Sequence, residues 1–98
     1  MPQIKPWYTQ NSEFGRAFYE FHEAGNTKSV FDDKTRELLQ VALACVFRCP
    51  HCTESHIKKA LTAGCTKQEV SEAILMAAME ASGTQLSWLK EVFIKYLG

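Results

Sequence analysis

No stretch of this chain alternates apolar and polar residues with a period of two, and its apolar positions recur every three or four residues. A half-buried strand needs the first pattern and an amphipathic helix the second. The pattern predicts an all-α class, a compact bundle of about five helices with short connections. A length of 98 residues allows one domain, 1–98, with an N-terminal arm over 1–10. In that arm Pro2 and Pro6 disfavour helix at the positions before them.

Punctuation residues place the helices. Ser12 is expected to cap a first helix carrying Phe14, Ala17, Phe18 and Phe21 on one face, with Gly25-Asn26 ending it. Asp32-Asp33 opens a second, with the stripe Leu38, Val41, Ala42, Cys45 and Val46. That helix cannot run smoothly past Pro50, so Cys49-Pro50 is expected to start a third, which ends at Gly64. Thr66 and Glu69 form a capping box for a fourth helix, stopped by Gly83. Leu86, Leu89, Val92, Phe93 and Leu97 space out a fifth.

Composition narrows the function. Hydrophobic residues at 46% and charged residues at 22% are the balance of a folded globular chain. Eleven basic residues offset eleven acidic ones, which argues against a nucleic-acid binder. The longest apolar runs, Val41–Phe47 and Ala73–Met79, are seven residues each, against roughly 20 for a membrane span. The first residues lack the apolar segment of a signal peptide. The expected location is the cytoplasm, where four cysteines point to catalysis, metal binding or core packing rather than a disulfide framework.

The chemistry-bearing segment runs from Glu37 to His56 and contains Cys49-Pro50-His51-Cys52. A CxxC pair alone is open to redox chemistry or metal binding. Cys45, Cys49, Cys52 and His56 share one helical face, but that face extends about 16 Å, too long for bonds of about 2.0–2.3 Å to one ion. No metal site is therefore expected. Cysteines three apart at a helix start approach within disulfide range, and the unpaired N–H groups there stabilise a thiolate. His56 follows Cys52 by one turn and suits a base. The helix dipole favours Cys49 as the attacking thiol by about 0.3–1 kcal/mol. A positioned base favours Cys52 by about 10²–10⁴-fold in rate, so Cys52 is the expected nucleophile.

Glu, eleven residues, CxxC, three residues and His is a spacing that resembles the alkylhydroperoxidase D-like branch of the carboxymuconolactone decarboxylase family. His51 matches a histidine inside the pair, and Ala63-Gly64-Cys65-Thr66 with Glu69-Val70 is similar to a second family segment. The resemblance covers about Phe31 to Ser82. It implies an all-α fold assembled as a homo-oligomer, a trimer or hexamer. It implies hydroperoxide reduction by a dithiol–disulfide cycle with no cofactor and no metal. By position, Cys52 is the peroxidatic thiol and Cys49 the resolving one, with Glu37, His51 and His56 as proton relay. The reductant is an unidentified thiol, lipoyl or thioredoxin-like. Decarboxylating members lack the pair. The alternatives are a dithiol–disulfide oxidoreductase acting on a partner protein or small disulfide, and a non-enzymatic helical or metal-binding module.

Several residues carry a plainer reading. Glu37 also suits a solvated first turn. Along straight antiparallel arms it lies about 18 Å from the Cys49 turn and His56 about 10 Å, a gap that needs an inclined crossing or a bridging water. Cys45, outside the family pattern, reads as a small core residue, with a third redox partner as the alternative. Cys65 reads as packing at a helix end, Lys58-Lys59 as a solvated face, and Met76 and Met79 as a helix-packing seam. Trp7, Tyr8, Phe14, Phe18 and Phe21 are expected in the core or at a subunit contact. His22 is given no chemical role.

Overall fold

The computed structural model describes residues 5–98, so the expectation at Pro2 lies outside the described residues. The described residues are helical throughout their regular structure: a 3-10 turn at Trp7–Thr9, then α1 (Glu13–Thr27), α2 (Asp33–Val46), α3 (Pro50–Thr62), α4 (Lys67–Leu86) and α5 (Lys90–Leu97). They divide into two compact units, one up to Asp32 and one from Asp33 to Gly98.

In the first unit the arm is not simply extended. The Thr9 hydroxyl donates to the Pro6 carbonyl (2.7 Å), and the Arg16 guanidinium donates to the Thr9 carbonyl (3.3 Å). These bonds fold the turn onto the start of α1. Ser12 caps α1 as expected, its hydroxyl accepting from the Gly15 amide at 3.0 Å. Gly15 is buried because a Cβ there would collide with the Tyr8 carbonyl. The Tyr8 and Phe18 rings meet edge to face at 5.5 Å. Phe14 and Phe21 are exposed and do not join a core within this unit.

Two helices outrun their expected ends. α1 continues through Gly25 to Thr27 and α4 through Gly83 to Leu86. Neither glycine has positive φ, so each sits in a helix interior at a cost of about 1 kcal/mol relative to alanine. A glycine ends a helix only where the backbone turns left-handed, and Gly64 does so with φ of 96°. There the Cys65 amide donates to the Ala60 carbonyl (3.0 Å) and the Gly64 amide to the Leu61 carbonyl (3.1 Å), a Schellman closure of α3.

The second unit is built on α2 packed against α3 and α4. Val41, Ala60, Cys65 and Val70 form its buried centre, flanked by Leu38, Cys45, Ile57 and Ile74. Cys65 is the packing residue its position suggested, its Sγ 3.8 Å from the Lys34 carbonyl oxygen. The α4 capping box is complete: the Thr66 hydroxyl accepts from the Glu69 amide (3.0 Å) and the Glu69 carboxylate from the Thr66 amide (2.8 Å). α5 contributes no buried residue. Met76 and Met79 are exposed, so they form no packing seam within the second unit. No helix among the described residues is long and apolar enough to cross a membrane.

Candidate active site

The α2–α3 joint positions the cysteines. α2 ends in a second Schellman closure: the Arg48 amide donates to the Cys45 carbonyl and the Cys49 amide to the Ala44 carbonyl, both at 3.1 Å. This places Arg48 at the left-handed position, with φ of 53°. Glycine would adopt that conformation freely, whereas an L side chain costs about 1–2 kcal/mol. Pro50 then occupies the first turn of α3, and Cys49 is its N-cap, the Sγ accepting from the Cys52 amide at 3.2 Å. Cys49 and Cys52 are joined as a disulfide, with Cα atoms 5.3 Å apart.

Glu37 of α2 and His56 of α3 form a carboxylate–imidazole pair. Glu37, 4% exposed, holds the Nδ1 of His56 at 2.9 Å through Oε2. Its other oxygen, Oε1, lies 3.8 Å from the Arg36 Nε, while the Arg36 Nη2 reaches the Asp33 carboxylate at 3.0 Å. Glu37 is thus no solvated first-turn residue. The axial gap between the arms is closed by direct side-chain contact, without a bridging water. An ionised carboxylate only accepts, so the neutral imidazole carries its proton on Nδ1 and presents Nε2 as the basic nitrogen.

The structure therefore brings together Glu37 with His56 and Cys49 with Cys52. His51 stands apart: it is exposed and lines a shallow cavity of about 370 Å³ along α3 with Lys58 and Lys59. Lys58 and Lys59 are the solvated pair expected, Lys58 meeting Glu54 at 3.2 Å. Among the described residues no three His, Cys, Asp or Glu side chains converge as a metal site would require.

A larger cavity, of about 720 Å³, opens beside the disulfide. Cys45, Cys49, Pro50 and Ile57 give it an apolar wall, and Arg48, Lys58 and Glu54 bring charge of both signs, Lys58 being paired with Glu54. Cys49 lines this cavity; Cys52 does not. Sequence reasoning missed Arg36 and Arg48. Arg36 precedes Glu37 with nothing to distinguish it from a surface arginine. Arg48 had a signal in hindsight: a helix forced to end just before Cys49-Pro50 needs a left-handed residue there, and no glycine is available.

Comparison with known proteins agrees with this architecture. A solved protein of Methanobacterium thermoautotrophicum superposes with a TM-score of 0.78 at 30% identity, over 86% of this chain and 97% of that one. The uncharacterized protein 4 in the cox locus of Paracoccus denitrificans is 36% identical over 67 residues, 68% of this chain. The aligned region spans 60% of that relative's length. The family model for carboxymuconolactone decarboxylases matches residues 12–94. With a match that spans α1 through most of α5, the chain belongs to the carboxymuconolactone decarboxylase family.

Proposed function

We propose that the chain is a thiol-dependent peroxidase that reduces hydroperoxides through a Cys49/Cys52 dithiol–disulfide cycle. The observation that carries this reading is a bonded cysteine pair at a helix start with a buried carboxylate–imidazole pair one turn behind it. In the reduced state His56 Nε2 takes the Cys52 proton, with Glu37 holding the ring and balancing the imidazolium charge. The Cys52 thiolate attacks the terminal peroxide oxygen. The O–O bond breaks, the alcohol leaves with the proton from His56, and Cys52 becomes a sulfenic acid. Cys49 attacks that sulfur, water departs, and the disulfide forms. Two thiols of a reductant restore the pair.

Cys49 is the resolving thiol in this scheme. Its N-cap position and the Cys52 amide favour its thiolate, which suits both resolution and later departure from a mixed disulfide. His51, exposed in the first turn of α3, serves the relay in this scheme only through bulk water. The Cys49 cavity supports a second reading, exchange with a bulky apolar disulfide, because an incoming sulfur reaches Cys49 from it. Homo-oligomeric assembly accompanies both readings.

Peroxide loss, measured with several thiol reductants, separates them: consumption supports the peroxidase, and disulfide reduction without consumption supports exchange. Trapping sulfenic acid with a dimedone-type probe tests the roles. The Cys49→Ser protein is expected to carry the adduct on Cys52. An adduct on Cys49 in the Cys52→Ser protein, with none on Cys52 in Cys49→Ser, reverses them.

A further inference from the structure

The proposed cycle uses two cysteines, yet a third stands beside them. Cys45 is reduced and half-buried, on the last turn of α2, four residues before Cys49. The two differ from an arbitrary helical pair in three ways. The Schellman closure ties Cys49 to the turn that carries Cys45, through the Cys49 amide to Ala44 and the Arg48 amide to the Cys45 carbonyl itself. Cys45 and Cys49 line the same cavity, so both are reached from one opening, whereas Cys52 is not on that wall. Arg48, the left-handed residue just before Cys49, lines that cavity too. Cys65, also outside the disulfide, has none of this: it is buried in the core with its Sγ against the Lys34 carbonyl.

We propose that Cys45 is a third redox thiol of this site, which exchanges into the Cys49–Cys52 disulfide to give a Cys45–Cys49 bridge and release Cys52 as a thiol. The step rests on the cysteine pair of the proposed function but not on its peroxide chemistry. The Cys45 thiolate attacks the Cys49 sulfur, the S–S bond to Cys52 breaks, and Cys52 departs with the bonding electrons and takes up a proton. One disulfide is consumed and one formed, so no outside oxidant or reductant is needed. The sulfur attacked is the one on the cavity wall. The one that leaves lies one helical turn before His56 on α3.

Reach sets the balance. The two cysteines straddle the joint, Cys45 within α2 and Cys49 as the extended N-cap of α3, and a disulfide requires Cβ atoms about 3.5–4.5 Å apart. The bridge therefore requires the left-handed Arg48 joint between them to adjust. The Cys49–Cys52 disulfide is then the resting form and Cys45–Cys49 the minor one. The result is a site in which the oxidation moves to the cavity wall while Cys52 regains its thiol.

The sequence makes the two bridges distinguishable. Trypsin cuts after Arg36, Arg48 and Lys58, so Cys45 falls in peptide 37–48 and both Cys49 and Cys52 in peptide 49–58. A Cys49–Cys52 bridge stays within one peptide, and a Cys45–Cys49 bridge links two. The protein is oxidised with diamide, free thiols are blocked with N-ethylmaleimide in acid, and the digest is read by mass spectrometry. The wild type is expected to give mostly the internal bridge, with a linked fraction of a few per cent or more carrying N-ethylmaleimide on Cys52. Cys45→Ser should abolish that fraction, and Cys52→Ser should convert most monomeric molecules to the linked form. Circular dichroism confirms that each variant is folded. Absence of the linked peptides from the wild type overturns the exchange, whatever Cys52→Ser does. Linkage only between chains or to Cys65 overturns it too. Diamide replaces peroxide here, so even a chain with no peroxidase activity shows whether Cys45 exchanges.

Discussion

Burying a carboxylate costs several kcal/mol unless a partner offsets it, and Glu37 at 4% exposure has His56 at 2.9 Å and Arg36 at 3.8 Å. Such a residue orients the imidazole rather than meeting the peroxide, so it is a positioning residue. Glu37→Gln keeps the shape and removes the charge that balances the imidazolium. A base is worth about 10²–10⁴-fold, and loss of its orienting group should take about tenfold or more from peroxide reduction. The pH profile of the rate should also change, because the group that orients the base has lost its charge. An unchanged profile would leave Glu37 a structural residue only. The contact itself was not legible in the spacing, which set the two side chains at different heights along their helices. Family resemblance supplied the association. The cysteine pair, by contrast, was readable from Pro50 and the three-residue spacing alone, because both fix a helix start.

Elements whose ends carry chemistry of their own were readable, and those that end without it were not. Gly64 and the Thr66–Glu69 box gave true boundaries because each satisfies a backbone group that has no partner inside a helix. Gly25 and Gly83 gave false ones, since nothing around them forces a left-handed turn. The turn at Trp7–Thr9 rests on the Thr9 hydroxyl and on Arg16 seven residues away, beyond the reach of local propensity. The capping box makes α4 sensitive to acid. The backbone amide of Thr66, with help from Lys34, holds the Glu69 carboxyl below its ordinary value. A depressed folded value contributes stability that is fully present above the unfolded value of about 4.3. That contribution is lost as pH falls through the lower folded value. Thr66→Ala should cost about 1 kcal/mol at neutral pH by thermal or urea denaturation. Glu69→Gln should flatten the loss of stability below about pH 4.3; an unaltered acid slope would assign that slope to other groups. At the other joint, Arg48→Gly removes a left-handed arginine and should stabilise the chain by up to about 1 kcal/mol. A destabilised variant would show that the guanidinium contributes more than its backbone costs.

The whole chain hides little of its apolar content. Hydrophobic residues are 46% of the sequence, yet among the described residues only Val41 of the large ones is completely buried. In the second unit Met76, Met79 and Leu86 of α4 are all exposed by more than half, as are Trp88 and Phe93 beyond it. The charges cancel and so give little repulsion between copies. The homo-oligomer proposed above would cover these side chains with a second copy, since an apolar surface shared by identical chains buries itself symmetrically. The protein is therefore expected to sediment as an oligomer at micromolar concentration. Burying one methionine contributes about 1.5–3 kcal/mol, which is about tenfold to a hundredfold in a dissociation constant. Met79→Glu removes that contribution and places a charge in the interface, so it should weaken association by at least that much. Its helix content should not change, since Met79 is 60% exposed within the chain. A wild-type protein that sediments as a monomer at those concentrations would mean that α4 and α5 tolerate their apolar faces in water, and the assembly would be withdrawn.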